Sequence, residues 1–398
     1  MTPTSRRHDI DALRAIAFAL LILYHVSMVY VFDWDYHIKS SYQFEWLQLP
    51  MVLVNRWRMH LIFLISGVAS AFLIKPDLPG KFLASRTKRL LLPLLFGMAV
   101  VIPIQPYAQG VSNGLVQPGF VQFLIDYYTG KAWPKDAFDG WYYGVTWNHL
   151  WYLAYLWIYT IVLTVLARPL ESHFGKKLRG LFTGLRGSAL MLLPILPFCL
   201  YSFALEPLFP DNGDFIHDWH RNAVYFTVFL YGYVVARDAG FWAETKRLRW
   251  ATLSCAVAIF AVRMILVAIY PDKAPHSIEV LALVLRNLYM WSMLLTILGW
   301  AHAYLNRPFR WLSWANEAVY PWYMLHQSLI VLIAYWVISL KLGPVLEPAI
   351  VLAGTVAGCW MLFAIIRRVP WLRPLFGMKS MSKAVTQSID QPSAAAYS

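Results

Sequence analysis

The chain has 398 residues, 59% hydrophobic, 16% aromatic and only 14% charged. A soluble domain is typically about 45–50% apolar and about 25% charged, so a water-soluble fold could not cover this much apolar surface. The formal charge of +13 does not point to nucleic acid, because the basic residues sit in short connectors between apolar runs rather than along a groove. Cys199, Cys255 and Cys359 all fall inside apolar runs and form no disulfide framework, CxxC or zinc spacing. Neither a bound metal nor a resident cofactor is expected.

A helix needs about 20 apolar residues to cross the hydrocarbon core. The first run, roughly 10–32, follows Arg6 and Arg7. It is too long for a signal h-region and has no small-x-small cleavage site, so it reads as a retained span. The others run roughly 54–74, 90–106, 149–168, 187–205, 221–237, 250–270, 284–304, 317–340 and 345–367. The fold class is therefore all-α, a polytopic bundle of about ten transmembrane helices. Pro93 and Pro103 in the third, and Pro194 and Pro197 in the fifth, predict bent or partly buried helices.

Lys and Arg alternate from loop to loop. One side carries Arg6 and Arg7, then Lys75 to Arg89, Arg168 to Arg186, Arg237 to Arg249, Arg307 and Arg310, and the tail. The opposite loops hold acids, among them Asp33, Asp35, Glu45, Asp126, Asp136, Asp139, Glu206 and Asp218. The positive-inside rule places both termini in the cytoplasm. The longest connector, about 107–148, lies outside and combines Trp141 and Trp147 with Asp136 and Asp139. Aromatics beside carboxylates suit sugars, and Trp and Tyr also populate membrane interfaces. One domain is expected over 5–378, followed by a disordered cytoplasmic tail over 379–398. No internal repeat is visible, which weakens a transporter built from inverted repeats.

Ionisable residues within spans are functional candidates. Arg14 and His25 are eleven residues apart in the first span. At about 100° and 1.5 Å per residue they share a face, about 16 Å apart along the axis. They can line one path, or Arg14 can snorkel while His25 is a satisfied bundle histidine. His60 after Arg58, His149 after Asn148, Arg263, Arg286 beside Asn287, and His326 beside Gln327 also lie at or inside spans. Together they predict a polar cavity in the outer half. Histidine suits base catalysis, and arginine suits an oxyanion or a carboxylate. No GxSxG elbow is present. Arg86, Lys88 and Arg89 at the third-span entrance can grip phosphates or merely set topology.

These residues resemble the integral-membrane acyltransferases of family 3, the glucan-modifying branch most closely. The stretch DIDALRAIAFALLILYH at 9–25 fits that family's Arg-x10-His span. RMHLIFLISG at 58–67 is similar to its second-span block, and Arg86 and Arg89 with Pro93 to its third-span entrance. NHLWYL at 148–153 and YPWYMLHQ at 320–327 resemble two later blocks. The shared order over about 9–330 is the specific part.

The resemblance implies an inner-membrane O-acyltransferase. It would move an acyl group, succinyl or acetyl, from cytoplasmic acyl-CoA to a hydroxyl of an extracytoplasmic glycan or glucan. It implies His25 as the base, Arg14 on the same path, and Arg86 and Arg89 on the donor side. His149 joins them as a catalytic candidate, with His60, Arg263, Arg286 and His326 as acceptor or oxyanion contacts. The competing classes are a transporter or flippase of an amphiphile using the same buried charges, and a non-catalytic membrane partner.

Overall fold

A computed structural model describes residues 7–75, 77–209 and 215–380. The expected tail over 379–398 falls almost wholly outside the described residues. In chain order the helices are α1 (His8–Tyr30), α2 (Gln48–Asn55), α3 (Arg58–Leu73), α4 (Pro79–Phe96), α5 (Ile104–Ser112) and α6 (Phe120–Tyr128). There follow α7 (Trp151–Glu171), α8 (His173–Thr183), α9 (Gly187–Leu192), α10 (Leu196–Ala204) and α11 (Trp219–Val235). The last are α12 (Ala239–Ile269), α13 (His276–Tyr304), α14 (Arg310–Val337), α15 (Leu346–Arg368) and α16 (Leu372–Leu375). No strand forms among the described residues; the sole isolated bridge joins Val31 and Phe44.

Nine described helical segments are long and apolar enough to cross a membrane. The 17-residue α11 falls just short in length and coincides with the expected sixth span. The protein is an all-α, multi-pass membrane bundle. Two expected boundaries were wrong for a physical reason. The third segment is not short: it runs Pro79–Ser112, because a basic first half that hydropathy ignores continues as helix. Its bend is a wide π-type turn at Gly97–Val101, between the two prolines. The second segment begins with α2 and breaks at Arg56–Trp57 before α3.

The chain folds into two compact units. The first contains residues up to 34, 43–86 and 155–316, and the second 35–42, 87–154 and 317 onward. In the first, α3 and α11 cross in backbone contact. A β-carbon on Gly67 would fall on the carbonyl of Phe229, and one on Gly232 on the carbonyl of Leu64. Two glycines facing each other's helices let the axes approach this closely. In the second unit, the connector expected as a long loop is largely structured. Val116, Phe123, Tyr127, Ala137 and Phe138 form a small core of its own, with Tyr107, Trp133 and Trp141 packed on it. Its exposed aromatics include Tyr128, Tyr142 and Tyr143.

Candidate functional site

In the first unit α1 is uninterrupted from His8 to Tyr30, so the predicted spacing of Arg14 and His25 holds. Both are half-buried. Arg14 lies 3.5 Å from Asp11. His25 sits edge-on to Tyr24, ring centroids 5.9 Å apart. The Arg58 guanidinium covers the other part of that arrangement, 3.4 Å above the Tyr24 ring centroid. A cation over a tyrosine face is attracted by the ring quadrupole, so Arg58 ties the start of α3 to α1 beside His25.

Further along the same unit, Arg286 donates to both carboxylate oxygens of Glu206, one bond measuring 2.8 Å, and to Ser202 Oγ at 3.2 Å. Burial pushes the Glu206 carboxyl up, but the hydrogen bond and charge of Arg286, with His220 and Arg56 behind them, outweigh it and hold it below the ordinary carboxylate range. Arg263 donates to the carbonyl of Ala282 at 2.8 Å and feels the charges of Arg56 and Arg286. His60 packs edge-on against Tyr225 at 5.1 Å, within electrostatic reach of Arg286, Arg56 and His220. Of the residues expected in one polar cavity, His60, Arg263 and Arg286 come together with Arg56, Glu206 and His220, whereas His149 and His326 belong to the other unit. Because α13 starts at His276, Arg286 lies well inside the helix rather than at its mouth.

The second unit holds a separate polar network, with Gln105 fully buried at its hub. Its amide nitrogen donates to Ser328 Oγ at 2.7 Å and to His149 Nδ1 at 3.3 Å. Its oxygen accepts from Asn148 at 2.9 Å and from Gln327 at 3.1 Å. An amide nitrogen can only donate, so His149 Nδ1 must accept, and the ring proton lies on Nε2. That N–H donates to the carbonyl of Met324 at 3.1 Å. Both nitrogens of His149 are therefore engaged in this arrangement, and its ring is held in one orientation.

His37, which sequence reasoning passed over, is held the same way. Gln327 donates to its Nε2 at 2.9 Å. Its Nδ1–H faces Gln109 Oε1 at 2.8 Å and Asp139 Oδ2 at 3.2 Å. His326 stacks edge-on against His149, centroids 5.1 Å apart. Its Nδ1–H donates to the carbonyl of Tyr323 at 2.7 Å, which puts its lone pair on Nε2.

Arg86 and Arg89 lie about one turn apart near the middle of α4, Arg86 half-buried and Arg89 exposed. Gln105, Gln109 and His37 carried no signal in the sequence, whereas Gln327 stood out beside His326.

Comparison with known proteins adds to this geometry. A family model described as an acyltransferase domain matches residues 7–364. Relatives named glucans biosynthesis protein C, from Escherichia coli strains SMS-3-5, O157:H7 and K12, are each 24% identical over 96% of this chain and 97% of their own length. No solved structure matches.

Proposed function

The chain belongs to acyltransferase family 3, a multi-pass membrane O-acyltransferase, and on that footing we propose that it carries an acyl group from cytoplasmic acyl-CoA to a glycan hydroxyl outside the inner membrane. The supporting observation is α1, one unbroken helix bearing Arg14 toward its first turns and His25 eleven residues on. The likeness to proteins named for glucan biosynthesis supports a glucan acceptor, with a succinyl or acetyl group as cargo.

In this reading the acceptor hydroxyl oxygen attacks the thioester carbonyl while His25 takes its proton. Collapse of the tetrahedral adduct breaks the carbon–sulfur bond, and the departing CoA thiolate takes the proton from the imidazolium. Arg56, Arg263 and Arg286 gather around Glu206, and their field favours the developing oxyanion. Arg86 and Arg89 hold donor phosphates, and Arg14 lies on the donor's path. His60 borders the acceptor.

Mass spectrometry of extracellular glycans from cells with and without the gene tests the reaction. Loss of an ester-linked acyl group without loss of the glycan is expected. A glycan that disappears from the outside altogether would favour a transporter instead. Topology has its own test: a reporter fused after Tyr143 should report the periplasm, and one after Lys177 the cytoplasm. The reverse at either position would overturn the orientation.

A further inference from the structure

The first unit contains a cavity that the acyl-transfer chemistry above does not use. It encloses about 240 Å³ between the last turns of α3 and α11 and the corner where α7 meets α8. Ala71, Ile74, Glu171, Arg179, Tyr233 and Arg237 line it, with Val234 and Asp238 completing the wall. This is the end of the unit that carries the basic connectors.

The lining carries Arg179 and Arg237 against Glu171 and Asp238, with Lys176 just behind. Glu171 is matched by Arg179 at 2.8 Å, with Lys176 at 3.8 Å behind. Asp238 is committed as the N-cap of α12, accepting the Phe241 N–H at 2.7 Å. Arg237 makes no salt bridge among the described residues, though its charge reaches Glu171 across the cavity. One of its nitrogens donates to the carbonyl of Ala71 at 2.6 Å, which fixes its direction without neutralising it. The N-terminus of the 31-residue α12 adds partial positive charge at the same wall. A guanidinium pinned by a neutral carbonyl still has a fork of donors suited to a tetrahedral oxyanion.

We infer that this cavity binds a phosphate ester, with Arg237 as the principal contact and Arg179 as the second. Its volume lies below the roughly 300–1,000 Å³ of pockets that enclose whole ligands, so it takes a headgroup and leaves the rest outside. The neighbouring surface is apolar: Phe72 and Leu73 on α3 are exposed, as are Phe174, Leu178 and Leu181 at helical spacing on α8. The ester has two possible sources, an anionic phospholipid or the phosphates of a CoA-type donor. Only the second rests on the acyl-transfer reading.

The test uses the full chain in phosphatidylcholine nanodiscs, with two probes. Phosphatidylglycerol retention is read by native mass spectrometry, and CoA affinity by calorimetry. Arg237→Gln removes the charge, and Val234→Trp fills the cavity without touching it. Both variants should weaken one probe by about tenfold or more, the worth of one charge-assisted hydrogen bond. Arg237→Lys should recover part of the loss, since it keeps the charge but not the fork. Lost lipid retention assigns the site to phospholipid, and lost CoA affinity to the donor. Unchanged binding of both probes in a monodisperse Arg237→Gln or Val234→Trp protein would overturn the inference. Arg86→Gln with Arg89→Gln serves as the contrast: if that pair leaves CoA affinity intact, the donor assignment on α4 fails, whatever the cavity does.

Discussion

Replacing His25 with alanine or glutamine should abolish acyl transfer while the protein still inserts and purifies normally. A hydroxyl is a poor nucleophile near neutral pH, and a positioned base is worth about 10²–10⁴-fold. The packing at this level of α1 falls to its neighbour. Tyr24 is buried in a cluster with Val31 and Met51 and lies beneath Arg58, whereas His25 is only half-buried. Loss of the imidazole should therefore cost turnover and little stability. Glutamine keeps hydrogen-bonding capacity but cannot accept a proton and pass it on. The measurement is the initial rate of acyl transfer by purified protein, with thermal unfolding as the control. Near-normal rates in the glutamine variant would make His25 structural. His326, whose lone pair lies on Nε2, would then be the histidine to test.

A second large effect is expected at the α3–α11 crossing. Gly67→Val or Gly232→Val should leave little folded protein. A new side chain at either position meets backbone, the carbonyls of Phe229 and Leu64, and backbone cannot rotate aside as a side chain does. The helices must part, loosening the buried residues around Phe63, Leu64, Val68 and Phe229. Overpacking alone costs typically 1–3 kcal/mol, against a total stability of about 5–15 kcal/mol. Alanine at both positions should lower the melting temperature in detergent and the valine variants should aggregate. A double-alanine protein that melts like the parent would mean that the helices do not meet here.

The spans were legible because apolar length is written locally, ten to thirty residues at a time. What escaped were helical extensions that carry charge. The first turns of α4, α12 and α14 contain residues such as Lys81, Glu244, Lys246 and Arg310, good helix formers that a hydropathy reading treats as loop. The amphipathic α8 escaped in the same way. Within the site, Arg14 and His25 were legible because one helix carries both. The Gln105 network was legible only in part: Asn148, His149 and Gln327 stood out at span ends or inside spans, whereas Gln105, Gln109 and His37 lie elsewhere in the chain and raise no alarm. Ser40 and Glu347, 2.5 Å apart and buried, are a similar pairing that no periodicity reports.

The saturation of Gln105 also limits how position 105 can change over generations. Every side-chain donor and acceptor there is spoken for, in a fixed sense. Glutamate would turn two donors into acceptors, facing Ser328 and His149. Leucine would strand all four partners, and asparagine would fall short of them. No single replacement keeps the pattern, so an alternative must pass through a less fit intermediate or arrive with a second change at Gln327, Asn148 or His149. The position is a local peak whose neighbours can be reached only in pairs, and a library that varies 105 together with 327 should recover active chains that single-site scanning cannot.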